Sequence, residues 1–262
     1  MNADSTATAG SLSRQTPYDK HFEYRKDFMD IAPRFFLRTQ LMLKMLVGLP
    51  GSVLDVGCGD GFFMRRLARL GYRAIGIDVS ELAIDLARRV LAAHPHCEVH
   101  CTPIESFGPD AHYGLVTCGE TLEHIEDDRA FLHQIQRLMR PGGTLVLTVP
   151  IDMSLWTEHD TRAGHFRRYA KAELFEKLAQ AGFSIEQYVV WGFPFVRLMH
   201  FEIRKAQDRR IEVARASNSR KRDLLMTLKP LLAVAKYGIL VDNLFNFTER
   251  GVGIVVRAKK VS

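Results

Sequence analysis

Cysteine is scarce in this chain: four residues in 262, all before position 119 (Cys58, Cys97, Cys101, Cys118). So few thiols in a chain this long, opening with no apolar leader, exclude a disulfide-stapled secreted module and point to a reduced, cytoplasmic protein. Cys97 and Cys101 form a CxxxC without a second ligand pair, so they read as one side of a buried strand and no metal is expected there. Unbroken apolar runs are also missing. None reaches the ~18 residues of a membrane span. Nor does charge of one sign dominate. Thirty-six Lys and Arg stand against 30 Asp and Glu, a net +6 that permits an anionic partner without naming one. No basic face interleaved with aromatics is present, so nucleic acid is not expected as a partner.

What is present is globular: 47% hydrophobic and 25% charged residues over a length that suits one domain with an insertion. Residues 1–16 are polar and read as a disordered tail, and the remaining 17–262 as a single domain. Residues 17–50 carry apolar positions at helical spacing (Phe28, Ile31, Phe35, Leu41, Met45). An alternation follows. Strands are predicted at 52–56, 74–77, 98–101, 114–118 and 144–149, with helices at 62–70, 80–93 and 128–139 between them. Further on, a helix at 171–181 precedes strands at 184–191 and 253–257. That order predicts an α/β fold with a mostly parallel, Rossmann-like sheet.

Two stretches interrupt the rhythm: a polar, aromatic-bearing connection at 150–170 and a helical insertion at 194–247. Long connections inside a domain are unusual unless functional. Residues 200–229 hold nine Lys or Arg against four acids, so most of the excess positive charge is local. An apolar pattern follows through residue 246, broken by Lys229, Lys236 and Asp242. The insertion reads as a helix over the active site or against a second subunit in a homodimer. The sharper alternative is a lid making peripheral contact with a lipid head group or carrier through 200–246.

The most informative segment is Val53-Leu-Asp-Val-Gly57-Cys58-Gly59-Asp-Gly61, running from a strand into a helix. Alternate glycines permit a sharp turn and close approach to a ligand, and amide groups at the helix start complete a polar cradle. The spacing is G-x-G-x-G, not the dinucleotide G-x-G-x-x-G. Asp55 inside the strand would repel a pyrophosphate and suits an ammonium group. Asp78, 23 residues later, ends the next strand where an acid can accept both ribose hydroxyls. A ribose at one acid and a cationic amino acid near the other describe S-adenosylmethionine (SAM).

These residues, with Ile77-Asp78, Gly119-Glu-Thr-Leu-Glu-His-Ile125 and Arg140-Pro-Gly-Gly143, resemble class I SAM-dependent methyltransferases, in particular the subgroup with ubiquinone-biosynthesis O-methyltransferases and many small-molecule methyltransferases. The resemblance covers about residues 35–192. It implies a seven-stranded sheet whose last strand, 253–257, is antiparallel. It also implies cofactor contacts from Asp55, Gly57, Cys58, Gly59, Asp78 and Gly119, with Val79 beside the adenine. After the third strand many members carry an Asp-Ala pair where this chain has Thr102-Pro-Ile104-Glu105. Ile104 would then pack on the base, while Glu105 either contacts it or is solvated. Arg38 on the preceding helix either reaches the cofactor carboxylate or lies on a solvated face.

Methyl transfer to a hydroxyl also needs a group to remove a proton. His124, in Glu120-Thr-Leu-Glu123-His124, titrates near neutrality and is one candidate base; the alternative is that Glu123 and His124 brace the loop. The 150–170 connection offers His159, Asp160 and His165 beside Trp156, Arg167, Arg168 and Tyr169. His159 or His165 is the expected base with Asp160 orienting it, and Trp156, Arg167, Arg168 and Tyr169 are expected to contact substrate. Alternatively, Arg167 and Tyr169 lock the loop, or His159, Asp160 and His165 hold a divalent metal. The expectation is methylation of a hydroxyl on a small-molecule, lipid-linked or glycan-like metabolite. The alternatives are N-methylation of an amine, and a SAM-binding regulatory subunit without turnover.

Overall fold

A computed structural model describes residues 33–108, 112–200 and 239–261. The expected tail at 1–16, the first part of the 17–50 helical region and most of the basic insertion, 201–238, lie outside the described residues.

The chain runs α1 (Pro33–Leu46), β1 (Val53–Val56), α2 (Phe62–Arg69), β2 (Ala74–Asp78), α3 (Glu81–Leu91), β3 (Cys97–Cys101), β4 (Tyr113–Gly119), α4 (Asp128–Leu138), β5 (Met139–Pro150), α5 (Glu158–Ala163), α6 (Lys171–Gln180), β6 (Phe183–Trp191) and β7 (Gly253–Lys260). Each helix forms for a local reason. In α2, Phe62, Phe63, Met64, Leu67 and Ala68 are buried, while Arg65 and Arg66 are half-buried and Arg66 donates to the Thr39 hydroxyl of α1. The Ser80 hydroxyl accepts from the Ala83 amide at the start of α3, and Asp127 does the same for Ala130 at α4.

One seven-stranded sheet results, in the order β3-β2-β1-β4-β5-β7-β6. Strands β1 to β5 pair in parallel, and β7 runs antiparallel to both of its neighbours, β5 and β6. The expected class and the antiparallel last strand are therefore both observed. Strand β1, buried along its length, is the point from which the chain builds outward in both directions. A crevice opens beyond the carboxyl ends of strands at such a switch point. Gly57 follows β1, and Glu120 follows β4, so both lie at that crevice.

Three expectations change. Cys101 is exposed and Cys97 only half-buried, because β3 is the sheet's edge strand rather than a core strand. Strand β5 begins at Met139, opposite Tyr113, and carries Arg140-Pro-Gly-Gly143 across a register shift before Thr144 pairs with Leu115. The connection at 150–170 contains the single-turn helix Met153–Leu155 and α5 instead of irregular chain. In the insertion, residues 195–200 and Ile239–Thr248 are helical as expected. Among the described residues no helix is long and apolar enough to cross a membrane.

Candidate active site

The glycine turn is built around close approach. Gly57, Gly59 and Gly61 all have positive φ (71°, 54° and 74°). A Cβ on Gly57 would overlap the Thr121 side chain, so the turn after β1 and the segment after β4 meet without room for any other residue. Asp78 ties the turn down. Its Oδ2 accepts from the Gly59 amide and its Oδ1 from the Ser80 amide, both at 2.9 Å. Asp55 is buried and accepts from the Thr117 hydroxyl at 2.6 Å. Burial, aided by Asp78 and resisted by the Thr117 hydrogen bond, raises its pKa to about 7. Cys58 is buried within the turn, and Val79 beyond β2 is 69% exposed, an apolar side chain left open where the adenine was expected. Ile104 is packed into the core, while Glu105 is exposed.

At the end of β4, Glu120 is held at φ 54°, a left-handed conformation costly for a residue with a Cβ. Its carboxylate pairs with Arg38 Nη1 at 2.9 Å, so the structure directs Arg38 to Glu120. Burial pushes the Glu120 pKa up, but Arg38 and Arg34 outweigh it and hold the group ionised. Glu123 is fully buried with neither carboxylate oxygen hydrogen-bonded. Burial and the neighbouring Glu120 push its pKa well upward.

Opposite stands the 150–170 connection. Asp160, fully buried at the start of α5, is its hub. Its Oδ2 accepts from the Thr157 amide (2.8 Å) and hydroxyl (2.9 Å). Arg168 donates Nε–H to Oδ1 and an Nη2–H to Oδ2, both at 3.0 Å. His165 Nδ1 completes the set, 3.0 Å from Oδ1. Burial opposes ionisation, but these hydrogen bonds and the Arg168 charge hold the carboxyl far below the usual carboxylate range. The His165 ring meets His124 edge-on at 4.6 Å, has Trp156 at 6.5 Å, and points Nε2 at Glu123 Oε1, 4.0 Å away. The Phe166 amide donates to the Glu123 carbonyl and fastens the connection to the β4 segment.

The structure thus brings together His165, Asp160, His124 and Trp156 but leaves His159 exposed on α5. Three of the expected substrate contacts have partners within the protein. Tyr169 is completely buried, with its hydroxyl 2.8 Å from Asp128 and 3.3 Å from the Leu122 carbonyl. Arg168 is 2% exposed and committed to Asp160. Arg167 pairs with Asp128 at 2.6 Å and donates to the Glu126 carbonyl, so it locks the loop. The ligand-type atoms that converge are those of Glu123, His124 and His165, within 4.8 Å of one another, not those of His159, Asp160 and His165. Sequence reasoning missed Arg34, Thr157 and His200. The Thr157-x-x-Asp160 spacing is a capping-box signature that marks a helix start, and it would have found Thr157. Nothing local flags Arg34 or His200, whose roles depend on long-range packing.

Residues 23–188 match the family model described as a methyltransferase domain. Among curated proteins, the ubiquinone biosynthesis O-methyltransferase of Rhodopseudomonas palustris (strain HaA2) is 34% identical over 145 residues, covering 55% of this chain and 54% of the relative. A probable S-adenosylmethionine-dependent methyltransferase of Mycolicibacterium smegmatis is 32% identical over 138 residues, covering 52% of each. The chain spans about half the length of the curated relatives it matches. Solved structures share the fold: phosphoethanolamine N-methyltransferase 2 of Haemonchus contortus with bound SAM (TM-score 0.62, 21% identity, 96% of this chain and 59% of that one) and the [4+2]-cyclase SpnF (TM-score 0.58, 22% identity, 86% and 80%). A cyclase on the same scaffold shows that fold alone does not name the reaction. The family match covers well over half of the chain and falls on the glycine turn and the β4 segment, and the chain therefore belongs to the methyltransferase-domain family.

Proposed function

We propose that this chain transfers a methyl group from SAM to a hydroxyl of a small-molecule or glycan-like acceptor, with His165 as general base. The residues at the crevice fit the cofactor: a turn at Gly57 that admits no Cβ, and an acid, Asp78, that ends β2 beside that turn. Asp78 would hold the ribose, Val79 would flank the adenine, and Asp55, Gly57, Gly59 and Gly119 would hold the methionyl part. When bound, SAM supplies an electrophilic methyl on a sulfonium, and the protein has only to align an acceptor, exclude water and take a proton.

The His165–Asp160 contact carries the acceptor assignment. Asp160 is ionised and acceptor-only, so His165 Nδ1 must carry the hydrogen between them. Nε2 is then the nitrogen with a free lone pair, and it can take the hydroxyl proton as the oxygen attacks. Thr157 and Arg168 keep Asp160 in place throughout, which makes them positioning residues. His124, edge-on to His165, would support the ring rather than act as base, and Trp156 would provide an apolar wall. An amine acceptor, which attacks in its neutral form, would need little from this pair.

The test is incubation of the protein with methyl-labelled SAM and a metabolite extract, with products read by mass spectrometry. A methyl ether formed by wild type and lost in His165→Ala supports the reading. Full activity in His165→Ala would shift it to N-methylation, and labelled product from no acceptor would leave a SAM-binding subunit without turnover.

A further inference from the structure

We infer that the acceptor carries an anionic group, a carboxylate or a phosphate, which completes a cluster of three guanidiniums formed by Arg34, Arg38 and Arg168. The inference rests on the methyltransferase reading above. Arg34 and Arg38 are one turn apart on α1 and so share a face. Two of the three cations have carboxylates: Arg38 pairs with Glu120, and Arg168 pairs with Asp160. Arg34 has no ion pair among the described residues, and it feels the charges of Glu120, Arg168, Arg38 and Asp160 while burial lowers its pKa. Arg34 is half-buried.

The charges do not balance. Burial and Glu120 push the pKa of the remaining nearby carboxyl, Glu123, well upward, which disfavours a negative charge there. His200, which hydrogen-bonds the Leu155 carbonyl through Nε2, is pushed toward its neutral form by burial and adds no positive charge. Among the described residues, three guanidiniums thus accompany the two ionised carboxylates of Glu120 and Asp160. Among the described residues, Arg168 Nη1 and Arg38 Nε are buried without a hydrogen-bond partner, and Arg168 itself is 2% exposed. A buried cation left unpaired is strongly destabilising, and guanidinium forks are matched to carboxylate and phosphate oxygens. An incoming anion would satisfy the excess charge and the orphaned donors together. Arg168 shares Asp160 with His165, so an acid bound there is positioned beside the proposed base.

A carboxylate could come from the acceptor or from the amino-acid end of the cofactor, and the experiment separates them. Wild-type protein saturated with S-adenosylhomocysteine is titrated with inorganic phosphate and, separately, with benzoate, by calorimetry. The inference predicts saturable binding of at least one anion to the loaded protein. It also predicts that binding weakens about tenfold in Arg34→Gln and is retained in Arg34→Lys, with S-adenosylhomocysteine affinity unchanged in both. Competition between the anions and S-adenosylhomocysteine would assign the cluster to the cofactor carboxylate and overturn the inference. Unchanged anion binding in Arg34→Gln, or no binding by the loaded wild type, would overturn it as well. Failure of wild type to bind S-adenosylhomocysteine at all would instead strike the methyltransferase reading beneath it.

Discussion

His165 Nδ1 lies 3.0 Å from Asp160 Oδ1, and the same carboxylate is gripped by both Nε and Nη2 of Arg168. A fixed acid thus selects one imidazole tautomer, and a buried cation keeps that acid ionised. Asp160→Asn should lower kcat about 10–100-fold, the usual penalty for losing a group that orients a functional histidine. His165→Ala should cost more, about 10²–10⁴-fold. The check is kcat measured separately from KM, since a purely structural role would not single out kcat.

The Asp160 grip also has a stability signature. Its folded pKa is depressed, so its contribution is fully present above the carboxylate's unfolded value, near pH 4, and is lost as pH falls further. Removing the charge strands Arg168, at a cost of roughly 3–5 kcal/mol. Denaturant titrations should therefore show wild type far more stable than Asp160→Asn at pH 7, with the gap narrowing toward pH 3. A gap independent of pH would contradict the assignment.

Asp55 has the opposite sign. Its pKa is raised to about 7, so the folded state holds a proton that the unfolded state gives up near pH 4. Stability should fall as pH rises from 4 to 7 and then level off. Asp55→Asn should relieve this, with a Tm advantage over wild type that is larger at pH 8 than at pH 5. Because the SAM ammonium favours the ionised form, cofactor binding below pH 7 should release a proton. Calorimetry in buffers of different ionisation enthalpy measures that release directly.

Gly57 and Thr121 test the turn. Gly57→Ala places a methyl on Thr121 and forces alanine to φ 71°. It should cost more than about 1 kcal/mol in stability and abolish SAM binding. Thr121→Ala in the same chain should restore part of the stability, giving a non-zero coupling in a double-mutant cycle. Strict additivity would mean that the two segments do not press on one another.

Much of this architecture was legible in advance because it is written in local signals. Alternating apolar strands and amphipathic helices, Ser80 as a cap, and the 57–61 glycines all act within a few residues of themselves. The Asp160–His165 pair was also legible, being five residues apart. What escaped depends on distance in sequence. Tyr169 looked like a substrate contact until packing placed its hydroxyl on Asp128, 41 residues away. Arg168 reads as a surface cation unless one knows that Asp160 is buried against it. Cys101 alternates like a core residue, but only strand order reveals that β3 is an edge. Arg34 carries no local mark, since its place depends on how α1 packs against β5 and β7.

The central claim is that the crevice after β1 and β4 is a SAM site closed by Asp78. Calorimetric titration of wild type and Asp78→Ala with SAM tests it most directly. The account predicts one-site binding by wild type and at least a hundredfold loss in Asp78→Ala, about 2.7 kcal/mol. Equal affinity of the two proteins, or no binding by wild type, would contradict it.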